Sequence, residues 1–261
     1  MSTTGSMTAR LRPGRVARSL GRRIRRALGT KPTGSTPARS EHKIAPTRLG
    51  PNDPGGIRRI HVGCGPHNIF PDWWNVDMRS FRGVDEVLDA TGPWPWTGLE
   101  AVYGEHFLEH LPLDAAFRFV EEAASHLRPG GVLRLSTPSL EWVWSTHLSL
   151  AANVSEERRI ADTYAANRAF HGWGHQFLYS RSMLERVLTH AGFERLTWHA
   201  YGQSDDPTLR GLERHGGFVV DDGWPSVWIV EAVRGTSATA IPEDLREEAE
   251  REFIRHARAA H

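Results

Sequence analysis

The sequence predicts an α/β chain built on a doubly wound, mostly parallel sheet of seven strands. Three observations lead there. From Ile57 onward, short β-branched runs alternate with helical patterns. Glycines and acids fall directly after successive strand runs, at 63–65, 77 and 89. The stop-and-turn signal Pro129-Gly130-Gly131 separates a helical pattern from a further apolar strand run.

The elements follow in order. Strands are expected at 57–62 (IRRIHV), 74–78 (WNVDM), 84–89 (VDEVLD) and 99–104 (LEAVYG). A helix is expected over 113–127, then a strand at 131–136 (GVLRLS). Helices at 139–150 and 181–191 precede strands at 194–201 and 226–233. A charged helix over 241–260, with Pro242 near its start, closes the chain. Alternation of this kind places helices on both faces of the sheet. The folded body is read as 57–235, residues 139–175 as a lid inserted after the fifth strand, and 236–261 as a C-terminal helix.

Charge is unevenly distributed. Residues 1–50 hold twelve Lys or Arg and one acid, Glu41, a net of +11, whereas the remaining 20 basic and 30 acidic residues give −10. Residues 1–56 therefore read as a basic arm and linker. Within them, Val16, Leu20, Ile24, Ala27 and Leu28 share one face of an amphipathic helix whose other face is Arg-rich. Residues 29–56 are rich in Gly, Pro, Ser and Thr. The single cysteine, Cys64, excludes an intramolecular disulfide and fits a reducing compartment. No run approaches the roughly 18 apolar residues that span a bilayer, and Arg residues interrupt any secretory-type apolar core near the N-terminus. The expected location is cytoplasmic.

Four features converge on the carboxyl edge of the predicted sheet, where such folds bind ligands. Val62-Gly63-Cys64-Gly65-Pro66 follows the first strand; its glycines permit a sharp turn and close backbone approach to a ligand, or serve a bland turn. Asp77 ends the second strand; its carboxylate can accept from two ribose hydroxyls, or close an Asx-turn. Asp89-Ala90 ends the third, an acid for an exocyclic amine beside a residue small enough to admit a ring. Tyr103-Gly104-Glu105-His106 ends the fourth and runs into Phe107-Leu108-Glu109-His110-Leu111, a ligand edge or simply a helix start.

Together GCGP, NVD, the acid of LDAT, FLEHLP and LRPGGVLRLSTP resemble the small-molecule class I methyltransferases of the type 11 group, most of all bacterial proteins described only as predicted methyltransferases. The resemblance spans about residues 57–235; Gly172-Trp173-Gly174-His175, FLYSRSMLERVLTHAGF and the stretch from Ser204 to Gly216 belong to it as well. It implies a Rossmann-like methyltransferase fold and S-adenosyl-L-methionine as cofactor. That cofactor would be held by the loop of Gly63, Cys64 and Gly65, its ribose on Asp77, its adenine beside Asp89 and Ala90, and its methionine end near Glu105. One departure stands out. Only 12 positions separate Gly65 from Asp77, too few for a full helical crossover, so the first helix must be shortened or replaced by HNIFPDW. A pyrophosphate cofactor needs a helix N-terminus there, so the departure favours the methyl donor over a nicotinamide dinucleotide.

Methyl transfer from an activated donor needs chiefly alignment, and a base only where the acceptor must lose a proton. His106 and His175 are the candidate catalytic bases, each with a structural hydrogen-bonding role as the alternative. His106, Glu109 and His110 have the i, i+3, i+4 spacing that shares a helix face. They resemble the Glu/His cluster of metal-binding methyltransferases acting on RNA ends or quinone precursors, with His171 or His175 as a further ligand. Spacing alone does not make a metal site, and the expectation is that no metal is used. Of ten Trp, Trp94, Trp96, Trp142, Trp144 and Trp173 fall in or after strand-end loops, where aromatic walls suit a small-molecule or glycan acceptor, including a glycolipid precursor; core packing is the alternative, favoured for Trp142 and Trp144. The arm at 14–28 reads as a peripheral anchor on anionic membrane, ahead of nonspecific nucleic-acid binding, with a solvated tail or organelle presequence as the bland alternatives. A noncatalytic cofactor-binding module is the competing class.

Overall fold

The computed structural model describes residues 56–148, 151–215 and 223–259. The arm and the predicted helix at 14–28 lie outside the described residues. Seven strands form one sheet: β1 (Arg59–Val62), β2 (Trp74–Asp77), β3 (Glu86–Val87), β4 (Leu99–Glu105), β5 (Leu127–Pro138), β6 (Phe193–Trp198) and β7 (Val227–Arg234). Their order is β3-β2-β1-β4-β5-β7-β6. All neighbours pair in parallel except β7, which runs antiparallel to β5 and β6. The winding reverses between β1 and β4, which opens a crevice at their carboxyl ends. The sheet is thus the mostly parallel, doubly wound one expected, made mixed by a single reversed strand.

Helices α1 (Leu113–His126), α2 (Leu140–His147), α3 (Glu156–His171) and α4 (Arg181–His190) follow β4 and β5. α5 starts at Glu243–Ala249 and continues through a π-helical turn, Glu250–Ile254, to Arg255–Arg258. α1 buries Leu113, Ala116, Phe117, Val120 and Ala124, the stripe that a 3.6-residue period directs to one side. That stripe packs with Leu184 of α4 and Leu245 of α5 onto Val62, Val102, Leu133 and Val230 of the sheet.

The opposite face differs from expectation. Because side chains alternate along a strand, Ala101 and Tyr103 of β4 point away from Val102, and they meet Phe70, Trp73, Leu209 and Leu212. These partners come from loops, so among the described residues helices cover one face and loops the other. The short connection from β1 to β2 is the reason. In place of a helix, buried Asn75 donates to the carbonyls of Phe70 and Trp73, both at 2.9 Å, and accepts from the Phe70 N–H at 3.0 Å. One side-chain amide thereby satisfies backbone groups that a helix would have paired.

Several boundaries also move. α1 ends at His126, and β5 begins at Leu127, ahead of the Pro-Gly-Gly turn. The 139–150 helix is reduced to α2. β3 keeps two of its six expected residues. α3 escaped the sequence reading because it buries only Asp162 and Ala169 and has no apolar stripe. Its cap was readable: Ser155 accepts from the Arg158 N–H, with Glu156 and Glu157 in the first turn. α2 and α3 enclose a small cluster of their own, Val143, Ala169 and Leu178. None of the described helices is long and apolar enough to cross a membrane.

Candidate active site

Gly63 (φ 63°) and Gly65 (φ 57°) occupy the left-handed region in which L side chains are strained. A Cβ on Gly63 would come within 2.5 Å of Phe107, whereas one on Gly65 would meet nothing within 4 Å. Gly65 therefore faces open space. The turn is fastened from β2: the Gly65 N–H donates to Asp77 Oδ2 at 2.9 Å, and the Arg79 N–H to Asp77 Oδ1 at 2.9 Å. A carboxylate offers about four lone-pair directions, so Asp77 keeps acceptor capacity toward a ligand. Gly63, Gly65, Asp77, Asp89, Ala90 and His106 line a common cavity of about 370 Å³ at the strand edge.

Asp89 closes an Asx-turn, accepting from the Thr91 N–H at 2.9 Å and its hydroxyl at 2.8 Å; it is nonetheless exposed on the cavity. Ala90 is buried, and its carbonyl accepts from Trp94 Nε1 at 3.0 Å. Cys64 is 2% exposed and does not line the cavity. Burial, aided by the charge of Asp77, pushes its thiol up to about 12, so it is a neutral packing group. Its N–H continues the ladder onto Val76 at 3.2 Å.

Glu105 is turned elsewhere. Its buried carboxylate accepts from Asn68 Nδ2 at 2.9 Å, Arg214 N–H at 2.7 Å and His215 N–H at 2.9 Å. It ties the two loops over the sheet face together and is not on the cavity wall. The second of those loops is anchored in turn by Arg134, which is fully buried and paired to Glu213 and Glu231 while donating to the Gln203 carbonyl at 3.0 Å.

His106, next along the chain, has φ 46°, uncommon for a non-glycine residue and frequent at functional sites. Its Nδ1 lies 2.8 Å from Glu109 Oε1, and the Thr137 hydroxyl donates to Glu109 Oε2 at 3.0 Å. A carboxylate only accepts, so Nδ1 carries the proton. Nε2 is buried without a partner among the described residues. Burial draws the His106 pKa down, but the hydrogen bond and the charge of Glu109 outweigh it and hold it above the ordinary imidazole value.

A second cavity, about 540 Å³, opens on the other side of His106 beneath α2 and α3. Trp142, Val143, Leu178 and Ala169 wall it, with His147, Arg168, His175 and His215. His106, His110 and Trp173 line both cavities. A further cavity of about 410 Å³ lies at the amino ends of β1, β2 and β4, away from the edge where such sheets bind ligands.

The expected helical face of His106, Glu109 and His110 is not formed, because Leu108–His110 is a single 3-10 turn. The ligand atoms that do converge belong to Glu109, His110 and His175, all within 4.8 Å of one another. His171 is exposed and outside this group. Of the five tryptophans, Trp94 and Trp96 are core residues in edge contact at 6.0 Å, Trp144 is 53% exposed, and only Trp142 and Trp173 reach a cavity. Thr137, His147, Arg168 and His215 were not singled out in the sequence. Thr137, in LRPGGVLRLSTP, and His215, in the stretch from Ser204 to Gly216, lay within motifs of the resemblance.

No family model matches the chain, and no curated protein matches it. Solved structures do. A SAM-dependent methyltransferase from Thermotoga maritima, described as a possible histamine N-methyltransferase, is 17% identical over 68% of this chain and 82% of that one, with a TM-score of 0.43. A SAM-dependent methyltransferase from Archaeoglobus fulgidus is 14% identical over 69% of this chain and 87% of its own, at 0.42. The CMeT domain of the citrinin polyketide synthase is 10% identical over 72% of this chain at 0.39, and the chain spans about half, 48%, of its length. At these values the likeness adds nothing to what the strand order already shows.

Proposed function

We propose that the protein is a class I methyltransferase that uses S-adenosyl-L-methionine to methylate a small molecule or glycan. One observation carries this reading: two cavities meet at His106, one lined by Gly65, Asp77, Asp89 and Ala90 and the other walled by aromatic and apolar side chains. The residues fit the cofactor. The open side of Gly65 admits its close approach, Asp77 accepts from ribose hydroxyls, and Asp89 with buried Ala90 provides an acceptor beside room for a planar ring. S-adenosylmethionine supplies a methyl group already activated on a sulfonium.

The chain's own residues do the rest. Trp142, Val143 and Leu178 exclude water and hold the acceptor toward His106. Neutral His106 takes the acceptor's hydroxyl or amine proton at Nε2, the atom without a partner. Glu109 fixes the tautomer and stabilises the imidazolium that forms, and Thr137 orients Glu109. His175, the other candidate base, donates a hydrogen bond from Nδ1–H to the Ala169 carbonyl at 2.7 Å, which suits a positioning role at the junction.

Calorimetric titration of the full chain with S-adenosylhomocysteine tests the cofactor half. Binding in the micromolar range, lost in Asp77→Ala, supports it; a folded parent that does not bind overturns it. Release of S-adenosylhomocysteine on turnover separates an enzyme from a noncatalytic module.

The convergence of Glu109, His110 and His175 favours a second reading, in which these three hold a divalent cation that polarises the acceptor oxygen. Nδ1 of His175 bonds a backbone carbonyl at 2.7 Å, and Nδ1 of His110 lies 3.4 Å from another, which leaves each Nε2 free as ligand. Activity abolished by chelator and restored by added metal would select this reading; indifference to chelator would select the His106–Glu109 pair.

A further inference from the structure

We infer that the second cavity is built for an anionic acceptor, a planar or apolar body bearing a carboxylate or phosphate. The inference rests on the methyl-transfer reading for the word acceptor, but its evidence is separate. Among the described residues, the polar groups on the cavity wall are nearly all nitrogen: five histidines and Arg168, with no carboxylate in the lining. Among the described residues, the acids that neighbour this wall are already engaged. Glu109 sits behind His106 and is paired to it, Asp162 is held by Arg158 at 2.6 Å, and Glu141 accepts from Trp228 Nε1 and the Arg181 N–H, each at 2.9 Å.

Arg168 is the informative residue. Three arginines of α3 can be compared. Arg158 pairs with Asp162 and donates to the Thr146 carbonyl; Arg159 donates to the carbonyls of Ala152 and Val154. The guanidinium of Arg168 makes no ion pair or hydrogen bond among the described residues, and it is the one of the three that lines the cavity. A guanidinium can only donate, and it matches a carboxylate or phosphate in bidentate geometry. Beside it, Trp142 Nε1 is buried without a partner. Indole N–H also only donates, so this buried group calls for an acceptor from the ligand, and the exposed guanidinium at the cavity wall can pair with the same ligand's anion. The charge of Arg168 is felt inside: with burial as the larger cause, it helps hold His147 below its ordinary pKa. A cationic ligand would be repelled there, and a neutral one would gain no charge-assisted bond from the guanidinium. Trp142, Val143 and Leu178 provide the apolar surface for the ligand's body.

The test uses the full chain, with and without saturating S-adenosylhomocysteine, and reads dissociation constants by ligand-observed NMR. The probes are benzoate, its neutral isostere benzamide, phenyl phosphate, and the sugar pair glucuronate and glucose. Benzoate or phenyl phosphate should bind at least tenfold more tightly than benzamide. A preference for glucuronate over glucose of similar size would extend the class to acidic sugars, and its absence would confine it to aryl anions. Arg168→Gln should remove most of the anion preference, and Arg168→Lys should restore part of it. Neither substitution should alter binding of S-adenosylhomocysteine. Equal binding of benzoate and benzamide, no binding of any anion, or an Arg168→Gln variant with undiminished preference would overturn the inference. Failure of the cofactor reading shows up separately, as absent S-adenosylhomocysteine binding beside intact anion selectivity.

Discussion

The two cavities that meet at His106 differ in charge and in how the chain builds them. The strand-edge cavity carries the carboxylates of Asp77 and Asp89 beside one cation, Arg79, and is made largely by consecutive strand ends, with residues from 63 to 111 and the single outlier Trp173. The cavity beneath α2 and α3 carries histidines and an arginine, and it gathers side chains from position 106 to position 226. One side is a product of local chain geometry at a sheet edge; the other is assembled by packing α2 and α3 over that edge. Under the proposed function the contrast has a physical use. Acceptor groups face a donor that bears positive charge, donor groups face the molecule to be methylated, and complementary fields draw each to its own side.

The largest expected effect breaks the acceptor side alone. His106→Gln should lower kcat by about 10²- to 10⁴-fold, the range for loss of a general base, while S-adenosylhomocysteine binding by calorimetry stays within about twofold. Arg134→Met should cost about 3–5 kcal/mol in urea unfolding, because Glu213 would be left as an uncompensated buried charge and Glu231 would keep only His199 as partner. Of comparable size is a pH effect beneath the strand-edge side. His61 is fully buried against Phe70 and Tyr103, and burial lowers its pKa to about 4. Between pH 6.5 and 4 the unfolded chain binds a proton that the folded chain refuses, so stability is complete above pH 6.5 and falls as pH drops to 4. The loss is about 3 kcal/mol over that window, and a His61→Phe variant should flatten the profile.

Smaller effects sharpen the contrast. Asp77→Ala should weaken S-adenosylhomocysteine by about 10- to 100-fold, as expected for hydrogen bonds to a charged group, without changing the anion selectivity of the other cavity. Glu109→Gln removes the charge that holds the His106 pKa up. The acidic limb of kcat/KM, which rises as His106 loses its proton, should therefore move to lower pH. An unmoved limb would mean that Glu109 does not act through His106.

Between them, these residues show how much could be read beforehand. The glycine turn, Asp77 and the pair Asp89-Ala90 were legible because each follows a strand whose alternation is written in consecutive residues, and strand ends in a doubly wound sheet share one edge. Glu105 shared that signal, yet its carboxylate turns to Arg214 and His215, about 110 positions away. Cys64 had the right position too and is buried as packing. α3 went unread because a helix that buries little leaves no apolar period.

The sequence by itself determined the alternation of elements, the stops between them, the absence of room for a first crossover helix and the glycine turn after β1, since periodicity, glycine conformation and chain length act within a few residues. Only the tertiary structure decided that loops cover one face, that His106 pairs with Glu109 while His110 meets His175, and that Arg168 stands unmatched in the second cavity. Those facts depend on contacts such as that between His110 and Gly174, 64 positions apart. Contacts at such separations are settled by packing and charge compensation across the whole fold, and they leave no local pattern in the chain.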